Sequence, residues 1–357
     1  MTRAATTALW LLTAVAVLSL ALVAVRQPFG PGDYVAIWGL KARALERSGD
    51  VAALFRVDPS GAFSHPEYPP LWPALLAAFS RLFGGRYDDL VVTPLWPVLA
   101  LAAAFLAARA TDAPPWGRAL AAASVALLPY WKTDLGYAEG LLGVLLLAAL
   151  GEVPRLDSSR LAPLRLALFL TLAAWTKQEG AVAALVFLAA LAASGKWRIA
   201  GRALASVVLL GVLPWLVVLG HLGPGLARAD FDPLRFSLAK LVTAAGALGR
   251  EAFLPGVPWL AGAAILLALA PRTRSQRRGT LAAVVAYAAL LFLSFGFSTR
   301  DPAWLVSWSW DRLAFGMAVV LVPVLAEAVA EPFTGPFAGP VTEPFGEPFV
   351  SPSIGAP

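Results

Sequence analysis

The sequence predicts an all-α membrane protein, a polytopic helical bundle of about ten transmembrane helices with interfacial helices in its first external loop. Three observations predict it. Hydrophobic residues make up 59% of the 357 residues and charged residues only 14%, with a mean hydropathy of +0.72, whereas a soluble domain of this length needs far more polar surface. Long apolar runs recur throughout the chain. Basic residues gather in the short loops between alternate runs, as orientation in a bilayer requires.

The first run, Ala4–Val25, is too long for a signal-peptide core and lacks a small-residue cleavage site before Arg26, so it reads as an uncleaved span. Further runs cover Leu90–Ala108, Arg118–Trp131, Glu139–Leu150, Leu164–Trp175, Ala181–Ala193, Ala203–Gly220, Gly256–Ala270, Thr280–Phe297 and Leu313–Ala330. Several fall short of the roughly 20 residues that cross a bilayer, so their helices must extend into flanking residues or end in a protein-lined cavity. Pro69–Phe83 is also apolar but carries Pro69, Pro70 and Pro73 in its first turn. With ten spans and a cytoplasmic N-terminus, the basic loops Arg109–Arg118, Arg155–Arg165, Lys196–Arg202 and Arg272–Arg278 all fall inside. Counting Pro69–Phe83 as a span would move them outside, so it is expected to be a re-entrant or surface helix.

This arrangement makes residues 1–330 one membrane domain, with residues 26–89 and 221–255 as its long external loops. Residues 331–357 repeat Pro-Phe at positions 332, 336, 344 and 348 and read as a disordered cytoplasmic extension. It also gathers Asp33, Glu67, Asp134, Glu139, Glu179 and Asp311 on the external face.

Composition narrows the function classes. The absence of cysteine excludes disulfides and thiolate metal sites, and two histidines are a poor supply of metal ligands. The net charge of +6 is scattered among apolar runs, which is not a nucleic-acid footprint. The sequence contains no phosphate-cradling glycine loop, nucleotide-binding fingerprint or serine-histidine-acid arrangement.

Directly after the first span comes "GDYVAIWGLKARALERSGD". On a helical wheel Tyr34, Ile37, Trp38, Leu40, Ala44 and Leu45 share a broad face opposite Arg43, Glu46 and Arg47, the pattern of a helix over residues 34–47 lying flat in the interface. Lys41 interrupts the apolar face, either snorkelling or aimed at a lipid phosphate. Asp33 precedes the helix, as its cap or as a reactive acid.

Five segments, "GDYVAIWGLKARAL", "HPEYPPLWPALLAAF", "DLGYAEG", "WTKQEG" and "WDRL", together resemble bacterial membrane glycosyltransferases of the C-type superfamily. Their order and spacing match the branch of protein mannosyltransferases and aminoarabinose transferases, including the glycosyltransferase family 39 type. The resemblance covers Asp33 to about Ala330 and rests on the joint order of short motifs. It implies an enzyme that moves a sugar from a polyprenyl phosphate to a lipid, glycan or protein acceptor on the external face, with inversion. It implies further that Asp33 stands near acceptor and anomeric carbon, and that Asp134 is the second external acid. Many relatives have two adjacent acids at the first position. Here Tyr34 follows Asp33, which weakens the case for a metal; no cofactor is expected.

Displacing a phosphate at an anomeric carbon needs a base for the incoming hydroxyl and cations for the leaving group. Asp33 and Asp134 are the candidate bases; Lys41, Lys132, Lys177 and Arg312 are candidate phosphate partners. His65, Glu67, Tyr68 and Glu179 are candidate substrate contacts. Interfacial anchoring is the alternative for Lys132, Lys177 and Arg312, beside Trp131, Trp175 and Trp310. Glu139 reads more simply as an acid favouring a helix N-terminus. The expected location is the bacterial inner membrane, with an external, periplasmic site. The rival readings are a transporter or flippase of a lipid-linked saccharide, disfavoured because the acids cluster at one surface without an internal repeat, and a non-catalytic lipid-binding subunit.

Overall fold

A computed structural model describes residues 3–27, 32–56, 65–222, 235–250 and 275–331, and every regular element among them is helical. The predicted span Gly256–Ala270 and the tail 332–357 lie outside the described residues.

The bundle begins with α1 (Arg3–Arg26), whose Leu11, Val15, Leu18 and Leu22 are exposed, as a flank facing lipid must be. A π-helical turn, Tyr34–Trp38, runs into α2 (Gly39–Ser48), followed by α3 (Ala53–Arg56), α4 (Leu71–Gly84) and α5 (Asp89–Val92). Next come α6 (Leu95–Arg109), α7 (Pro115–Ala126), α8 (Tyr130–Thr133), α9 (Ala138–Glu152), α10 (Ala162–Thr176) and α11 (Gln178–Leu191). The described elements close with α12 (Trp197–Ser206), α13 (Leu213–Leu222), α14 (Leu238–Arg250), α15 (Ser275–Ser294) and α16 (Pro302–Ala330).

Helix α9 is the hub. It packs against α6, α10 and α16, and all its residues but Val144 are buried. Its alanines, glycines and leucines suit that place, since small side chains let helices approach closely in a membrane. At 15 residues it is about 22 Å long, short of the bilayer core, and it is lined by protein instead of lipid.

Five helical stretches are long and apolar enough to cross a membrane: Arg3–Arg26, Asp89–Arg109, Gln178–Leu222, Gly279–Phe297 and Arg312–Ala330. The chain is thus a multi-pass membrane protein; the expected count of ten spans goes beyond these five stretches. Gln178–Leu222 is broken at Gly195, whose φ of +90° turns the chain between α11 and α12. The run Arg118–Trp131 is also divided, because Pro129 ends α7 and starts the short α8. Helix α4 has 14 residues, about 21 Å, a length similar to that of α9 and α10.

Two further expectations are revised. The loop 221–255 contains a helix, α14, whose Leu241, Ala244 and Ala247 are buried. The 34–47 segment does not rest its apolar face on acyl chains: Tyr34, Ile37, Trp38, Lys41 and Ala42 are buried in the protein's own core. Tyr34 explains part of this, because its hydroxyl meets Tyr87 Oη at 2.6 Å and donates to Asp89 Oδ1 at 2.7 Å, partners that acyl chains cannot supply.

Candidate functional site

The motifs that the sequence reading assigns to the external face converge at one end of the bundle. Asp33 starts the π-helical turn, and its side chain makes no capping bond. Its carboxylate instead accepts a hydrogen bond from Nη1 of Arg312, 279 residues away on α16. Arg312 is fixed from two more directions. Its Nε donates to Trp308 O at 3.1 Å, and its guanidinium lies 5.3 Å from the Tyr137 ring centre. Tyr137 Oη in turn accepts the Asp33 N–H at 3.1 Å. Only glycine fits before Asp33, because Gly32 has φ +100° and a Cβ there would stand 2.6 Å from Tyr137 Oη.

Behind this pair lies a second charged group. Lys177 occupies the extended break between α10 and α11, and its Nζ meets Glu139 Oε1 at 2.8 Å and Glu179 Oε1 at 3.1 Å. The Lys177 and Glu139 side chains are only 7% and 4% exposed. Glu139 does occupy the first turn of α9, but its carboxylate is the partner of Lys177, so the helix-terminus reading accounts for its place and not for its contact. Glu139, Lys177, Glu179, Arg312 and Tyr287 line a cavity of about 10 Å³, near the size of one water. Glu179 Oε2 is buried without a hydrogen-bond partner among the described residues.

The "HPEYPP" loop forms the third part. His65 Nδ1 lies 2.8 Å from Glu67 Oε1, and the imidazole stacks on Tyr68 with centroids 4.8 Å apart. Trp215 Nε1 donates to Glu67 O at 2.8 Å, while Trp72 Nε1 ties α4 to Gly136 O at 2.7 Å. Tyr68 joins the groups, since its ring stacks on Trp38 at 5.6 Å and faces Lys177 Nζ at 5.4 Å.

Lys41 neither snorkels nor reaches the surface. It is fully buried, and its Nζ donates to His65 O at 2.5 Å and Tyr68 O at 3.4 Å, clasping the loop. Burial pulls its ammonium down to about 7, against the opposing pull of Glu67. His65 has φ +44°, an unusual conformation for a non-glycine residue that this clasp helps to hold.

Thus Asp33, Lys41, His65, Glu67, Tyr68, Lys177, Glu179 and Arg312 belong to one connected assembly. Asp134 lies at its edge, accepting from Thr133 Oγ1 at 2.6 Å and standing one turn before Tyr137. Lys132 is exposed, and the side chain of Asp311 lies outside the described residues. The sequence reading passed over Tyr137. Its position in the polar "DLGYAEG", beside an otherwise apolar run, was the available signal. Among the described residues no three His, Asp or Glu side chains converge as a metal-ligand set.

No family model matches the sequence, and no curated protein matches it. Solved structures share its fold. ArnT from Cupriavidus metallidurans bound to undecaprenyl phosphate aligns with a TM-score of 0.58 at 18% identity, covering 90% of this chain and 59% of that one. Apo ArnT from the same organism gives 0.54 at 19% identity, with 90% and 60% coverage. The chain therefore spans about 59% of the ArnT chain, and the similarity is one of fold.

Proposed function

We propose that this protein is a membrane glycosyltransferase that moves a sugar from a polyprenyl-phosphate donor to an acceptor, with inversion, on the external face of a bacterial inner membrane. The observation that carries the reading is the pairing of a half-buried acid with a buried guanidinium, Asp33 with Arg312, next to Lys177 and its two glutamates. The fold supports it, because ArnT shares that fold and has been crystallised with undecaprenyl phosphate.

In this reading Arg312 and Lys177 receive the donor phosphate. Each already offers charged N–H groups in a largely dehydrated place, where such bonds are strongest. A bound phosphate competes with Asp33 for Arg312, and losing that partner makes the Asp33 carboxylate more basic. Asp33 then takes the proton of the acceptor hydroxyl as its oxygen attacks the anomeric carbon. The bond from that carbon to the phosphate oxygen breaks, and the cations hold the charge left on the phosphate. Tyr68 offers an aromatic face to the sugar, with Glu67, His65 and Glu179 available to its hydroxyls. Lys41 serves indirectly by clasping the "HPEYPP" loop, Asp134 is the second acid near the acceptor, and exposed Lys132 meets lipid headgroups at the rim.

The test is purified protein incubated with a panel of polyprenyl-phosphate sugars. Wild-type protein should release free polyprenyl phosphate from at least one donor, and Asp33→Asn should not. Folded wild-type protein that releases none from any donor, with or without candidate acceptors, would sink the reading.

A further inference from the structure

Asp33 is followed by a residue whose side chain the transfer chemistry leaves unused. Tyr34 is 1% exposed, and its hydroxyl donates to Asp89 Oδ1 at 2.7 Å. A hydroxyl has one proton to give, so Tyr87 is the donor where the two phenol oxygens meet at 2.6 Å. Asp89 is the first residue of α5, and its other oxygen accepts from Arg43 Nη2. The Arg43 guanidinium lies 5.5 Å from the Tyr87 ring centre, closing a ring of four side chains. Both oxygens of the Asp89 carboxylate are engaged, and linked hydrogen bonds of this kind strengthen one another. Glycine at position 39 leaves room for Tyr34, since a Cβ there would stand 3.0 Å from its Cε1 and Cζ.

This ring reaches Asp33 through the backbone. Successive residues of a helix point about 100° apart, so seating Tyr34 on Asp89 sets the direction in which Asp33 points. That direction is toward Arg312. The preceding side is held as well, because the Asp33 N–H donates to Tyr137 Oη and the Ala36 N–H closes back on Gly32 O at 3.0 Å. The Asp33 side chain makes no capping bond within its own helix, so its aim is set by these neighbours and by Arg312 itself. We propose that Asp89, acting through Tyr34, is a positioning residue that aims Asp33 at the acceptor hydroxyl. The inference rests on Asp33 being the base of sugar transfer, and it extends the reacting assembly to a carboxylate on the far side of Tyr34.

The experiment measures sugar transfer and melting temperature of the full chain carrying Tyr34→Phe, Asp89→Ala or both. Each single variant should lower turnover at saturating donor about tenfold, the scale of a slightly misplaced base, while donor KM stays within about twofold. The double variant should fall no further than the less active single one, because both remove the same link. A second arm reads the aim of Asp33 without the reaction. Tyr34→Phe should lower the melting temperature less in an Asp33→Asn background than in the wild type, since there the pair with Arg312 is already weakened. Turnover of folded Tyr34→Phe within about twofold of the wild type would overturn the proposal, and so would equal losses of melting temperature in the two backgrounds. Either result leaves the ring a brace of the first loop. A wild type that releases no polyprenyl phosphate would overturn the transferase reading instead, and the melting arm alone would then decide whether Tyr34 and Asp33 are linked.

Discussion

The two ends of the bundle both bury acids, and they use them differently. At one end Glu152, with its side chain 5% exposed, closes α9 and is held by two arginines. Arg165 donates Nε and Nη2 to Glu152 Oε2 at 3.0 and 2.8 Å, and Arg109 reaches Oε1 at 3.3 Å. Both carboxylate oxygens are satisfied, and the arginines keep 35% and 41% of their own surface in solvent. This is a rivet joining α6, α9 and α10. At the other end Glu139 and Lys177 are both buried, Arg312 is 9% exposed, and polar capacity is left over. The three buried side-chain atoms without a partner among the described residues, Trp38 Nε1, Glu179 Oε2 and Trp310 Nε1, belong to residues of that end. Native proteins satisfy nearly all such groups, so this unmatched set beside dehydrated charges is what supports the proposed site at that end. Full satisfaction marks structure.

The comparison can be broken first by an all-or-none result. A topology reporter fused after Gly85 should read external, and one after Lys196 cytoplasmic, because basic short loops stay inside. The same reading at both positions would put the Asp33 cluster and the basic loops on one side and remove the external site.

The next largest effect is on turnover. Asp33→Asn keeps the shape and an oxygen for Arg312 but removes the base, so sugar transfer at saturating donor should fall about 100-fold or more. Its melting temperature should fall less than that of the Glu152 variant, since Glu139 remains close enough to Arg312 to act on its charge. Near-normal turnover would leave Asp33 a structural partner of Arg312.

Glu152→Gln should show the reverse pattern. Breaking the rivet should cost about 1–3 kcal/mol, less than the loss of a fully buried pair because both arginines stay hydrated. Turnover per folded molecule should stay unchanged. Loss of activity without loss of stability would mean that the two ends are coupled.

The smallest effect is a pH dependence at Lys41. Its ammonium is held down to about 7 in the folded chain against an unfolded value of 10.5, so between those values the unfolded chain binds more protons. The stability of the wild type relative to Lys41→Met should therefore rise as pH goes from about 7 to about 10, and stay flat below 7. A parallel pair of melting curves across that range would show that Lys41 keeps an ordinary affinity for its proton. In the same variant, donor use should weaken through loss of the "HPEYPP" loop's position.

What was legible in the sequence is the local part. Hydropathy and loop charge follow from neighbouring residues, so most of the helices and the short polar motifs could be read directly. Proline and glycine marked breaks: Gly195 falls in the gap between Ala181–Ala193 and Ala203–Gly220, whereas Pro129 divided an element that hydropathy alone ran together. Partner choice was not legible. Nothing near Asp33 announces Arg312, 279 residues on, and nothing near Glu139 announces Lys177, 38 residues away. The wheel of residues 34–47 identified an apolar face correctly but could not say whether lipid or protein would cover it, and so misplaced Lys41. An amphipathic period shows only that one face avoids water. Which face meets which, and hence which charges are buried together, is decided when helices distant in sequence pack, and that depends on shapes and hydrogen-bond partners that no single segment contains.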